Sequence, residues 1–223
     1  MTRLYVSTVA LCALSLTTPA FAQHGHGGDI AVGLEGDQLI IGMMEDDGPE
    51  WGHVVFASEF GELPGQPNFA DEPGFDSPEG LFQEGDEIGF DINRALRLWD
   101  GAFDTISPSA LEVALGPLNV LTPPNDIVTP GFVFAVIDDH QHLHQHLDFT
   151  LQAPADEAVY LLELSLWSNN YLDSEPFWIV FNKGMDEPTH DAAIDWVWDN
   201  LVPAPGTAGL LALAGLTLPR RRR

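Results

Sequence analysis

The alternation of apolar and polar residues along the chain predicts a series of short β-strands. Apolar stretches recur between turns that are rich in Gly, Pro and Asp. The predicted strands are residues 30–34, 38–42, 53–57, 87–92, 96–99, 111–115, 131–137, 158–166 and 175–181. Residues 58–80 contain four prolines and predict a long surface loop or a covering flap. This organisation is typical of an all-β protein with a single antiparallel β-sandwich of the jelly-roll or immunoglobulin-like kind.

One short helix is predicted near the end of the domain. Residues 190–201 place their apolar side chains on one face, with the spacing of an amphipathic helix. Thr189 is the predicted N-cap, and Asp191 suits the positive end of the helix dipole.

The most unusual pattern is a stretch in which histidine alternates with other residues. Its even positions carry Asp138, His140, His142, His144, His146 and Asp148, and its odd positions include Leu143, Leu147 and Phe149. Successive side chains of a strand point to opposite faces. The stretch therefore predicts a strand with one histidine face between two carboxylates and one apolar face against a core.

A histidine face is a candidate metal site, because neutral imidazole is the commonest side-chain metal ligand and histidines at i and i+2 can converge on one ion. At roughly 3.3 Å per residue, His140 and His146 would lie about 20 Å apart, too far to share an ion. We expect one His-x-His pair, closed by ligands from elsewhere. A second pair, His24 and His26, lies in a glycine-rich stretch. The alternative is a solvated, histidine-rich edge strand without an ion.

Residues 1–22 have the three parts of a secretory signal peptide. Arg3 precedes an apolar run at residues 6–16, and Ala20 and Ala22 form an A-x-A cleavage motif. We expect signal peptidase to cleave after Ala22 during export across the inner membrane. The single cysteine, Cys12, lies in this segment, so any ion would be held by His, Asp and Glu. The folded domain is expected at residues 23–202.

The charge of the chain excludes nucleic acid as a partner. Between Asp29 and Asp199, thirty-four acidic residues face only three basic ones, Arg94, Arg97 and Lys183, a formal charge of −31 without histidine. The sequence has no EF-hand loop, no serine nucleophile motif, no H-E-x-x-H and no phosphate-binding glycine loop. We therefore expect a binding protein and not an enzyme.

The C-terminal segment, residues 203–223, has three parts. They are Pro203-Ala204-Pro205-Gly206, an uncharged apolar stretch, and the cluster Arg220, Arg221, Arg222 and Arg223. The stretch predicts a short membrane span with its arginines in the cytoplasm. The order resembles the PEP-CTERM sorting signal, which exosortase-type membrane proteases process in Gram-negative bacteria. Ala204 replaces the usual Glu, a variant associated with planctomycete proteins. The resemblance implies transient anchoring in the membrane, followed by residence at the cell surface or in the extracellular matrix.

Two stretches of the domain resemble choice-of-anchor M surface proteins. His26-Gly-Gly-Asp29-Ile30 is similar to their Gly-His-x-Asp-Ile/Val opening, and residues 144–151 resemble their H-x-H-x-N-W-x-F segment, with Asp148 for Asn and Phe149 for Trp. The chain is also similar to the zinc-repressed (Zur-regulated) PEP-CTERM proteins of cyanobacteria. These resemblances imply a surface protein linked to zinc homeostasis. They imply His26, His144 and His146 as the main ligands, with Asp29 as a further ligand or as the residue that orients His26.

The predicted function is therefore capture or buffering of a metal at the cell envelope, with Zn²⁺ preferred and Cu²⁺ or Ni²⁺ as alternatives. His142, His24, His140 and Asp148 are further candidate ligands. A second hypothesis is a structural or carbohydrate-binding matrix protein, associated with envelope or extracellular polysaccharide, which would show an exposed aromatic row. A third is a metal-dependent hydrolase, which would need an open coordination position beside a cleft.

Overall fold

The computed structural model describes residues 28–203, which form short strands and one helix. The strands are β1 (Ile30–Glu35), β2 (Gln38–Glu45), β3 (Gly48–Trp51), β4 (Val55–Glu59), β5 (Phe69–Ala70), β6 (Phe75–Asp76), β7 (Glu87–Ile92), β8 (Arg97–Leu98), β9 (Thr105–Ile106), β10 (Leu111–Leu115), β11 (Leu118–Leu121), β12 (Thr129–Val136), β13 (His144–Gln145), β14 (Asp148–Leu151), β15 (Ala158–Ser168) and β16 (Phe177–Lys183). The helix is α1 (Glu187–Asn200). The predicted all-β class with one helix near the C-terminus is confirmed.

The strands are arranged in three sheets. A seven-stranded sheet has the order β12-β7-β15-β16-β4, with β8 and β9 attached beside β15. A five-stranded sheet has the order β13-β6-β1-β2-β3, and a four-stranded sheet has the order β11-β10-β14-β5. Most pairs are antiparallel, but β1 pairs with β6 and β4 pairs with β16 in parallel. The five- and seven-stranded sheets are therefore mixed, where an antiparallel sandwich was predicted, and the four-stranded sheet is antiparallel throughout.

The central strands of the largest sheet are buried on both faces. One face of β15, with Tyr160 and Leu162, packs in a core that also contains residues of the two smaller sheets. The other face, with Val159 and Leu161, packs in a second core with α1. Burial on both faces explains why β15 and β16 are almost continuously apolar. The result is a layered sandwich in which α1 covers the outer face of the seven-stranded sheet.

The helix begins earlier than predicted, so the assignment of Thr189 as its cap is wrong. Asp186 has an extended backbone, and its side chain accepts a hydrogen bond from the Thr189 backbone N–H at 3.2 Å. Pro188 lies within the first turn, where its missing N–H has no helical partner to lose. Aspartate before a proline-containing first turn is a stronger start signal than threonine at the third position.

The predicted terminal segments lie almost wholly outside the described residues. The signal peptide at residues 1–22 is not described, and of the predicted tail only the exposed Pro203 is. Within residues 28–203, no helix has the length and apolar character needed to cross a membrane.

A buried carboxylate, Asp86, connects the turn before β7 to the loop after β15 through hydrogen bonds. It is only 2% exposed and accepts hydrogen bonds from the Gln83 backbone N–H at 2.8 Å, the Asn170 amide at 2.6 Å and the Tyr171 hydroxyl at 2.8 Å. Burial alone would raise the pKa of Asp86, but these hydrogen bonds outweigh it and lower the pKa. Burial and the Asp86 carboxylate raise the pKa of Tyr171 to about 12.

Replacing Asp86 by alanine is expected to reduce the free energy of unfolding by about 3 kcal/mol near neutral pH, because three donors lose a charged acceptor. The folded pKa of Asp86 lies below the unfolded value of about 3.9, so its contribution is complete above that value and is lost as the pH falls through the folded pKa. Urea unfolding near pH 7 and in acid should show the difference from wild type shrinking in acid. Glu84→Ala, in the same turn and exposed, should change little. A difference independent of pH would contradict this assignment.

Candidate metal centre

The candidate site lies where the ends of three strands meet. Because β1 and β6 run in parallel, both strands begin on the same side of the sheet. Asp29 lies just before β1 and Gly74 just before β6, so these two residues meet on that side, which we call the triad edge. Because β13 is antiparallel to β6, the end of β13 reaches that edge too, and His146 follows it. The strand register therefore brings together side chains from three distant segments of the chain.

Three side chains at this edge could hold one metal ion. Asp29, His144 and His146 each offer one ligand atom, and these atoms lie within 4.8 Å of one another. Asp29 and His146 are half-buried, and His144 is exposed. Two ligand atoms bound to the same tetrahedral zinc are about 3.4 Å apart, so small side-chain rotations would suffice. Two imidazoles and a carboxylate suit Zn²⁺, Cu²⁺ and Ni²⁺.

Hydrogen bonds orient two of these ligands. Nδ1 of His146 lies 3.0 Å from the Asp71 carbonyl oxygen, which can only accept, so Nδ1 carries the hydrogen and Nε2 is free to bind a metal. Oδ1 of Asp29 accepts a hydrogen bond from the Gly74 backbone N–H at 3.1 Å. Its other oxygen, Oδ2, lies 3.8 Å from Nδ1 of His144.

Two further carboxylates lie beside this triad of Asp29, His144 and His146. Oε2 of Glu72 is 3.6 Å from Nδ1 of His146, and Oδ2 of Asp76 is 3.5 Å from Nδ1 of His144. The other oxygen of Asp76 contacts Nε2 of His142 at 2.8 Å. The surroundings of the triad are thus strongly negative, which favours a bound cation.

The same charges shift two pKa values. Burial alone would lower the pKa of His146, but its hydrogen bond to the Asp71 carbonyl and the charges of Glu72 and Asp29 outweigh burial and raise the pKa. Burial, helped by the charge of Asp29, raises the pKa of Glu72 despite the attraction of His146. A bound cation would relieve the repulsion between these carboxylates.

Gly74 allows the triad to close. A Cβ at this position would lie 2.7 Å from Cε1 of His146 and 2.8 Å from Oδ1 of Asp29. Both contacts are too short for a real Cβ, so both ligand side chains, or the backbone at residue 74, would have to move. The absence of a side chain at residue 74 is therefore a geometric condition for their present positions.

We expect Gly74→Ala to weaken zinc binding roughly 10- to 100-fold, the usual cost of disturbing the residues that support metal ligands. All ligands remain in this variant, so only their spacing changes. Affinity can be measured by competition with a chromophoric chelator. Gly33→Ala, whose Cβ would clash with the Trp51 ring in the same sheet, controls for a general loss of stability. Equal effects of the two substitutions would contradict a specific role for Gly74.

The other predicted ligands are placed differently. His142 contacts Asp76, while His140 lies with Asp138 and Asp139 in a second, fully exposed group of potential ligands. Asp148 lies in β14, is exposed, and belongs to neither group. His24 and His26 lie outside the described residues.

The prediction of one continuous strand from Asp138 to Phe149 is wrong. The backbone N–H of Gln141 donates to the Asp138 carbonyl at 3.1 Å, and Gln141 has a φ of 56°, so a turn interrupts the stretch. Asp138 stabilises this turn by accepting the His140 backbone N–H at 2.9 Å, the usual role of aspartate at a first turn position. The predicted apolar positions are nevertheless buried: Leu143, Leu147 and Phe149 are at most 2% exposed.

Sequence reasoning missed Glu72, Gly74 and Asp76. All three belong to residues 58–80, predicted as a surface loop or flap, which in fact contains β5 and β6. Their only sequence signal is a carboxylate or a glycine, and neither is distinctive in a chain with 34 acidic residues and 21 glycines.

Comparison with known proteins adds no assignment, since no family model matches the chain and no curated protein matches it. The resemblances to PEP-CTERM and choice-of-anchor M proteins stay predictions. The roles proposed for the site residues therefore depend on the geometry.

Proposed function

We propose that this protein binds a transition metal ion, preferentially Zn²⁺, for capture or buffering at the cell envelope. The observation that carries the proposal is the convergence of Asp29, His144 and His146, with ligand atoms within 4.8 Å. The hydrogen bond between Nδ1 of His146 and the Asp71 carbonyl adds support, because it leaves Nε2 free and because metal-ligating histidines usually donate their other N–H to such an acceptor.

Capture or buffering suits the exposure of the site. The side chain of His144 is 53% exposed and that of His146 is 36% exposed, so an ion can enter and leave directly from solvent. The acidic surface raises the local concentration of cations. The three residues leave at least one coordination position, for which His26 is the predicted ligand and water the alternative.

The terminal segments support the proposed location. The predicted signal peptide at residues 1–22 would export the chain, and the PEP-CTERM-like tail at residues 203–223 would hold it in the membrane until an exosortase-type protease processes it. The cell surface or the extracellular matrix is the proposed destination.

A calorimetric titration of zinc chloride into the full chain, purified without a histidine tag, tests the proposal. We expect saturable binding near one equivalent at slightly alkaline pH. The control replaces the exposed group with Asp138→Asn, Asp139→Asn and His140→Gln, and should bind equally well. Loss of binding in this control would show that the ion binds at the exposed turn and not at the triad. Absence of saturable binding by the wild-type chain would overturn the proposal.

A further inference from the structure

A cavity of about 230 Å³ lies beside the C-terminal end of α1, in a different part of the fold from the metal centre. Its walls are formed by Arg94, Arg97, Phe103, Asp104, Trp196 and Leu201. None of these residues belongs to the five-stranded sheet that carries the triad. Pockets for drug-sized ligands usually measure roughly 300–1,000 Å³, so this cavity suits a single ring.

One wall of the cavity is aromatic and rigidly held. The ring of Trp196 contacts the rings of Trp99 and Phe103 edge-on, with centroids 6.2 and 5.8 Å away and interplanar angles of 68° and 69°. Phe103 is only 4% exposed, while Trp196 remains partly accessible. A half-exposed indole held in this way is a preformed apolar surface for a ligand.

The lining of the cavity also contains a buried arginine. Arg97 is only 6% exposed, donates from Nη1 to the Asp104 carbonyl at 3.0 Å, and forms an ion pair with Asp126. Its Nε is the one buried side-chain nitrogen or oxygen atom in residues 28–203 without a hydrogen-bond partner. Burying an incompletely paired guanidinium is costly. A buried polar atom without a partner is expected where its side chain takes part in a binding site.

Arg94 completes the polar wall and is more accessible. Its side chain is 32% exposed, with Nη1 3.4 Å from Glu163 and Nε 3.9 Å from Asp126. Both arginines are thus offset by carboxylates. The cavity presents donors and acceptors side by side without an excess of positive charge.

We infer that this cavity binds a neutral pyranose ring, as a free sugar or as one unit of a glycan. A sugar hydroxyl both donates and accepts, so adjacent hydroxyls match a lining that contains both arginine donors, at Arg94 and Arg97, and the acceptors of Asp104. The apolar C–H face of the ring matches Trp196. An acidic sugar gains little there, because Asp126 and Glu163 already neutralise the two arginines and Asp104 adds a negative charge to the lining. This inference is independent of metal binding.

Saturation-transfer NMR on the full chain, with D-glucose, D-galactose, D-mannose and D-glucuronate as probes, tests the inference. We expect saturable transfer to at least one neutral sugar, with affinity reduced about tenfold in Trp196→Ala, by loss of an aromatic contact. Arg94→Gln should also weaken it. Trp51→Ala removes another partly exposed tryptophan, in the five-stranded sheet, and should have no effect. Prior treatment with a chelator should also have no effect.

Each remaining outcome overturns the inference. Transfer to none of the sugars would show that the cavity is not a sugar site. Transfer unchanged in both Trp196→Ala and Arg94→Gln would place the sugar elsewhere, and transfer to glucuronate alone would define an anion site. If Trp196→Ala does not fold, Arg94→Gln decides, because its half-exposed side chain can be changed with little effect on stability.

Discussion

Replacing His144 and His146 together by alanine is expected to lower the zinc affinity more than a thousandfold. Four-ligand structural zinc sites have binding free energies of roughly 10–16 kcal/mol, or about 3 kcal/mol per ligand, and the variant loses two ligands. Only Asp29 would remain of the triad. Both imidazoles are at least one-third exposed, so their removal leaves no buried cavity and the fold should persist. Competition with a chromophoric chelator measures the affinity, and circular dichroism checks the fold.

The adjacent pair provides the matched control for this experiment. His140→Ala/His142→Ala removes the same number of imidazoles from the same stretch, but neither residue belongs to the triad. Its zinc affinity should stay close to that of the wild-type chain. If both double variants lose affinity equally, the stretch attracts ions through its histidine content and not through a built site.

Zinc affinity is also expected to fall about 100-fold between pH 7.5 and pH 5.5. A ligating imidazole must be neutral. A free imidazole, whose reference pKa is about 6.5, loses close to tenfold of its neutral fraction over this range, and the proposed site contains two imidazoles. The pKa of His146 is raised, chiefly by its hydrogen bond to Asp71 and the charges of Glu72 and Asp29, against the effect of burial. Protonation therefore competes with zinc from a higher pH than at an ordinary histidine, and affinity increases as the pH rises through this pKa.

The measurement is the apparent dissociation constant at several pH values across that range. In His144→Ala/His146→Ala the residual binding should depend much less on pH, because the two imidazoles whose protonation competes with zinc are gone. An affinity in the wild-type chain that is independent of pH would show that carboxylates alone hold the ion. That outcome would exclude the histidines as ligands.

The position of the site at the edge of a sheet explains how it can be both ordered and accessible. Within residues 28–203, β13 is a two-residue strand at the edge of its sheet, paired with β6 on one side only. Short, polar edge strands also protect a sheet from pairing with other molecules. The same feature therefore limits pairing with other molecules and leaves His144 open to an ion.

Much of the fold was predictable because it depends on local periodicity. The hairpin of β1 and β2 was expected from two apolar runs around Gly36, which has a φ of 62° in the turn. The long strand β15 was expected from its apolar run. The i, i+2 spacing of His144 and His146, with Leu143 before them and Leu147 after them both buried, also followed from the period of two.

The sequence by itself determined the all-β class, the helix near the C-terminus, and the pair of histidines that could act together. Only the tertiary structure decided which residues complete that pair. The resemblance had already named Asp29 as a candidate, but nothing in the sequence placed it beside His144 and His146, and Glu72, Gly74 and Asp76 were not candidates at all. All four reach the pair through the pairing of β6 with β1 and β13. The period of a strand specifies which face each of its side chains occupies, but it contains no information about which strand lies beside it. In a site built from the ends of three strands, the periodicity of the sequence therefore reveals the ligands of one strand but not which residues of the other two lie beside them.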